Sequence, residues 1–250
     1  MPLPGSDALR QQEQQGRPCL ADRRLSTAGG ASETLPRLGS VVPIPPHSCP
    51  RDWPGETAHL VASGPSSESL DLDCLRGRRV VAVSHGLFMV PWAPTLIAGG
   101  RAFWQRHDLR EVFGGTLAVI TDDYRPWGWL RREDPRMVYM RRGAREGLSD
   151  DPAVLAGSES SVMLAINYVV HRGVRRIVLL GCDGKPGAGG QRRAGRKETD
   201  TRDATARYKV QERAMATQIE PLAAAGVTIV NCSPGTALGC YPTGRLEEWL

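Results

Sequence analysis

Four short stretches of this chain gather hydroxyl, imidazole and carboxyl groups around glycine. They are Ser63-Gly64-Pro65-Ser66-Ser67, Ser84-His85-Gly86, Gly157-Ser158-Glu159-Ser160-Ser161 and Gly181-Cys182-Asp183-Gly184. A glycine after a strand lets the backbone approach a phosphate or ribose, and the N–H groups of a following helix point at an anion. His85 has the one side chain that titrates near neutral pH unaided, so it suits an acid or a base. Asp183 follows a strongly apolar run and could hold a ribose, a metal or a substrate hydroxyl. Each stretch also has a purely structural reading. Ser66 or Ser67 could cap a turn, Ser158 or Ser160 a helix, and Asp183 a loop, while His85 could be a satisfied structural residue. No stretch is GxGxxG, so the usual dinucleotide fingerprint is absent. The other histidines point less clearly to chemistry: His47 precedes the expected domain, His59 begins it, and His107 and His171 fall late in helices, where a cation suits the dipole.

The elements that must position these groups alternate in the α/β manner. Strands are expected at 58–62, 78–84, 94–100, 116–121, 137–140, 174–181 and 227–232. Helices are expected at 69–77, 101–109, 158–173, 206–226 and 244–250. Val162, Ala165, Ile166, Val169 and Val170 repeat at the helical period, with Ser158 or Ser160 to start the helix and Gly173 to stop it. VRRIVLLG (174–181) reads as a strand buried on both faces, as parallel strands are. The expectation is a Rossmann-like, mostly parallel sheet flanked by helices, in which ligands lie outside the carboxyl ends of the strands. Residues 1–57, rich in Pro, Gly, Ser and Gln without an apolar period, read as a disordered tail, and 58–250 as the nucleotide-binding domain.

Composition narrows the class. Of the 250 residues 40% are hydrophobic and 24% charged, as in a soluble globular chain. No apolar run approaches the ~20 residues of a membrane span. The first residues lack the apolar core of a secretory signal, and six cysteines show neither CxxC nor zinc-ligand spacing, so a reduced, cytoplasmic protein is expected. The net charge of +5 lies outside 1–57, which carries six basic and six acidic residues. Five of the positive side chains fall in 185–197, KPGAGGQRRAGRK. Such a run is a solvated loop, a clamp over an anionic ligand, or a nucleic-acid contact, although no aromatic residue is interleaved for base stacking.

G-P-S after the first strand, Pro91-Trp92, S-S-x-x-x-A-I from Ser160, LLGCD and a late VNCSPGTALGCYP come in sequential order over about 58–250. In this succession the chain resembles the bacterial and phage sialyltransferase-like proteins of glycosyltransferase family 42. It is also similar to the group of motility-accessory-factor and hydroxymethylpterin pyrophosphokinase-like domains. The resemblance implies a nucleotide-sugar-dependent glycosyltransferase using a CMP-sugar donor and needing no other cofactor. Ser63, Gly64, Pro65, Ser66, Ser84, Ser160 and Ser161 would line the nucleotide, and His85 or Asp183 would serve as the base, with no metal ligands. Lys185, Arg192 or Arg193 would screen the leaving group. The chain departs from the pattern at Ser63 and Ser84, where Asn is usual, and in 184–230, which lacks the histidine that sialyltransferases place there. Those departures keep open a catalytically degenerate relative that binds nucleotide or nucleic acid. An ATP-dependent pyrophosphokinase is a further alternative, with Asp122, Asp123 and Asp183 as the carboxylates available for Mg²⁺.

Overall fold

A computed structural model describes residues 47–107, 109, 113–122, 134–188 and 204–250. Residues 1–46 of the expected tail, Asp123, and 189–197 of the basic run with Arg192 and Arg193 lie outside the described residues. The described strands are β1 (Thr57–Val61), β2 (Arg79–Val83), β3 (Thr95–Ala98), β4 (Thr116–Thr121), β5 (Met137–Arg142), β6 (Val154–Leu155), β7 (Arg176–Leu180) and β8 (Thr228–Asn231). The α-helices are α1 (Arg101–Arg106), α2 (Ser161–Arg172), α3 (Ala204–Ala216) and α4 (Ile219–Ala224).

All eight strands join one sheet in the order β6-β5-β4-β3-β2-β1-β7-β8, and every neighbouring pair is parallel. Helix α2 packs across β1, β2 and β3. Leu60, Val81, Ile97, Ile120 and Leu179 share one apolar layer with Met163, Ile166 and Val169 of α2. Val61, Val80, Ala82, Leu96, Val119, Val178 and Leu180 form the layer on the other face. Burial on both faces explains why the central strands read as unbroken apolar runs.

The strand predictions hold within a residue or two at most ends. Three helix expectations change, and one strand is added. Residues 69–77 form no α-helix: 3₁₀ turns run over Pro65–Ser69 and Leu72–Leu75, and the Asp71 carboxylate accepts from the Asp73 N–H, a local bond that competes with helix. The 206–226 helix divides into α3 and α4. Pro221 has no N–H to donate back to residue 217 and would crowd that carbonyl, so the chain breaks and restarts at Gln218. The C-terminal helix is a single 3₁₀ turn, Leu246–Trp249. Strand β6, two residues long, is too short to show a period.

The body also begins earlier than residue 58. Cys49 and Trp53 are buried, and the Trp53 and Gly55 N–H groups donate to the Arg172 and Gly173 carbonyls. The Arg172 guanidinium lies 4.1 Å from the Trp53 ring centre and donates to the Asp52 carboxylate at 2.6 Å and to the Tyr168 hydroxyl at 2.6 Å. Two isolated apolar side chains in a proline-rich stretch thus tie 47–56 to the end of α2.

His59 is a polar group inside this apolar sheet. It stands between Val80 and Val178 in register, is 1% exposed, and among the described residues neither ring nitrogen has a hydrogen-bond partner. Burial holds its imidazole down at about 4, while the backbone near Trp249 and Arg79 pulls weakly the other way without reaching hydrogen-bond geometry. The unfolded chain takes up a proton near 6.5 and the folded chain does not, so stability is full above that pH and falls as the pH drops towards 4. Denaturant titrations from pH 7 to pH 4 should show a loss of about 3 kcal/mol from this residue. Burial also lowers His47 and His171. The contribution of His59 is therefore read as the difference between the parent chain and His59→Leu, whose pH curve should be flatter.

Candidate functional site

From β1 the chain turns to β2 on one side of the sheet, and after β6 it returns to β7 on the other side. The loops leaving β1 and β7 therefore diverge, which opens a crevice at their carboxyl ends. A cavity of about 430 Å³ occupies that position. Its wall includes Ser63, Gly64, Ser84, His85, Ser160, Ser161 and Asp183, seven of the nine residues expected to line the nucleotide or serve as the base. Pro65 and Ser66 do not line it.

The two diverging loops are tied together beneath the cavity. The Ser66 N–H donates to Asp183 Oδ2 at 2.9 Å, and the Ser66 hydroxyl donates to Asp183 Oδ1. A Cβ on Gly64 would stand 2.4 Å from the Gly181 carbonyl oxygen and 2.7 Å from Asp183 Cγ. Glycine at 64 thus serves loop-to-loop packing, and the space its missing side chain leaves is taken by protein. From the β8 side, the Ser233 hydroxyl accepts from the Cys182 N–H at 2.7 Å, and Asn231 and Thr236 donate to the Cys182 carbonyl at 3.0 and 2.8 Å. Burial raises the Asp183 carboxyl above its ordinary range, while Ser66 and the charge of Lys185 pull it back. Both Asp183 oxygens are engaged by Ser66, so its carboxylate holds the two loops together.

The helix-start serines are also committed. The Ser160 hydroxyl caps α2 by accepting from the Met163 N–H at 3.3 Å, and the Ser161 hydroxyl accepts from the Gly99 N–H at 3.2 Å. Asp122 pairs with Arg142 at 3.0 Å, at the far side of the sheet from the Ser66–Asp183 tie.

His85 is nearly buried in an aromatic nest. Its ring meets Phe103 edge-on at 5.1 Å and lies 5.9 Å from Phe88 and 5.3 Å from His107. Its Nδ1 lies 3.2 Å from the Ser84 hydroxyl and its Nε2 3.4 Å from His107 Nε2. The His107 contact was not foreseen from the sequence. Helix α1 has six residues, so it rises only about 9 Å and its end stays level with the cavity. For the same reason Arg106 lines the wall, joined by Lys185 and by Arg207 and Tyr208 from the first turn of α3. A short helix directly after a strand was the available signal.

No family model and no curated protein matches the chain. A solved structure to which it is similar is the MAf glycosyltransferase from Magnetospirillum magneticum AMB-1, at 16% identity and a TM-score of 0.46. That likeness covers 79% of this chain and 35% of the other, so the chain spans about a third of that protein's length. At this level it carries neither a substrate nor a reaction to the present chain.

The tie between the loops is open to test. Gly64→Ala should cost about 1–3 kcal/mol of stability in urea unfolding, because backbone on both sides must move. Gly114→Ala, where a Cβ meets nothing within 4 Å, should change little.

Proposed function

We propose that the crevice binds a nucleoside phosphate and that the chain transfers a sugar from a nucleotide donor of the CMP-sugar class. One observation carries this reading: the turns after β1, β2 and β7 and the start of α2 share a single cavity whose wall also holds Arg106, Lys185 and Arg207. Its volume is within the range of small-molecule sites. Three cationic side chains beside polar loops suit a ligand whose negative charge is concentrated on phosphate.

In this reading, Arg106 and Lys185 stabilise the nucleoside phosphate as it leaves the anomeric carbon. His85, held by its aromatic neighbours, takes the proton from the acceptor hydroxyl as that oxygen attacks. Asp183 keeps the two loops at fixed separation. Lys185, the first residue of the basic run, lines the cavity and adds a cation beside a bound anion.

Thermal unfolding in the presence of CMP, CDP and other nucleotides tests the binding. A specific nucleotide at one hundred times its Kd should add about 2.7 kcal/mol of apparent stability. Arg106→Ala combined with Lys185→Ala should reduce that gain. Failure of every nucleotide to raise the transition would refute the reading. Turnover of a CMP-sugar, where found, should fall by about 10²–10⁴ in His85→Ala.

A further inference from the structure

We propose that Ser84 is a nucleophile activated by His85, which gives the cavity a second chemistry: removal of an acyl group from a small anionic ester. This goes beyond sugar transfer and rests on different observations.

The first is the backbone. Ser84 has φ +52°, and among the described residues it alone of the non-glycines lies in the left-handed region. An observed outlier of this kind marks a place where the surrounding fold enforces a geometry the residue would not choose. The second is the turn. Ser84 directly follows β2 and opens a 3₁₀ turn, Ser84–Phe88, with small residues two positions to either side, Ala82 and Gly86. A Cβ at Gly86 would stand 1.9 Å from the Val61 carbonyl oxygen, so the turn crosses β1 at a distance only glycine permits. A sharp strand-to-helix turn with small flanks is a way of holding a serine hydroxyl forward into a site.

The third is the line of proton carriers. The Ser84 hydroxyl is 3.2 Å from His85 Nδ1, and His85 Nε2 is 3.4 Å from His107 Nε2. When the hydroxyl donates to Nδ1, Nε2 keeps its hydrogen and donates it to His107, so one arrangement satisfies both contacts. Phe88 and Phe103 hold the His85 ring in place. Ser84 and His85 both line the cavity, together with Arg106 and Lys185, which favour an ester carrying a carboxylate or phosphate.

The step is balanced by water alone. Ser84 Oγ bonds to the acyl carbon while its proton passes to His85 Nδ1. The bond from that carbon to the leaving oxygen then breaks, and the departing alcohol takes the proton from His85. Water adds to the acyl-serine, giving a proton to Nδ1. The acid leaves as the bond to Oγ breaks and Ser84 recovers its hydrogen. His107 acts through His85 and is a positioning residue.

The test is covalent labelling of the whole chain with a fluorophosphonate probe in the absence of nucleotide, read by intact mass and peptide mapping. A single adduct on Ser84 is expected, absent from Ser84→Gly, which suits the same backbone and lacks the hydroxyl. His85→Ala and His85→Gln should slow labelling by about 100-fold. His107→Ala should slow it less, and His107→Gln, which retains an acceptor, should recover part of the rate. No adduct on Ser84 in a cooperatively folded chain, or undiminished labelling of both His85 variants, overturns the proposal. Because nucleotide is left out, the result stands apart from the outcome of the nucleotide-binding experiment.

Discussion

The architecture of the crevice depends on one carboxylate reaching across a gap between neighbouring strands. Strands β1 and β7 pair side by side, yet the chain leaves their ends in opposite directions. Asp183 spans the divergence by accepting the Ser66 N–H and hydroxyl, and Gly64 and Gly181 let the two backbones meet above it. The Gly64 N–H adds a bond to the Gly181 carbonyl at 2.8 Å, so backbone and side chain join the two loops together. With it, and with Ser233, Asn231 and Thr236 holding the β7 loop from the other side, the floor is a fixed surface.

A consequence is a division of labour among polar groups. Hydroxyls of Ser66, Ser160 and Ser161 are spent on the scaffold, as is the Asp183 carboxylate. What remains for a ligand is the Ser63 side chain, which makes no hydrogen bond among the described residues, the Ser84–His85 pair, and the cationic side chains of the rim. The floor is thus held by hydrogen bonds to one engaged carboxylate, and the cations Arg106, Lys185 and Arg207 line the same wall.

Much of the fold was legible in the sequence because burial on both faces writes itself as apolar runs. VRRIVLLG marked β7, and the helical spacing from Val162 to Val170 marked α2 with Ser160 and Gly173 at its ends. The rule that ligands sit beyond strand ends pointed to Ser63, Gly64, Ser84, His85 and Asp183, which line one cavity. Other features left no such trace. Ser160 and Ser66 have the same residue types whether they cap, latch or bind, so only geometry separates those uses. The meeting of His85 with His107 depends on where α1 stops, and helix ends are weakly encoded. Trp53 and Cys49 were hidden by their proline-rich surroundings, although an isolated tryptophan is costly to leave in water.

The strand order has a bearing on how the polypeptide matures as it leaves the ribosome. β1 is central in the finished sheet, but one of its two neighbours, β7, begins only at Arg176. For the intervening stretch of synthesis, Ala58 to Val61 form an open margin with unpaired amides and carbonyls, although their side chains end almost wholly excluded from solvent. A nascent chain halted before Arg176 therefore presents a strand that is buried in the finished sheet as a template for adhesion to other chains. The segment that completes the crevice is also the one that seals this margin, so a competent site and a soluble sheet arrive together.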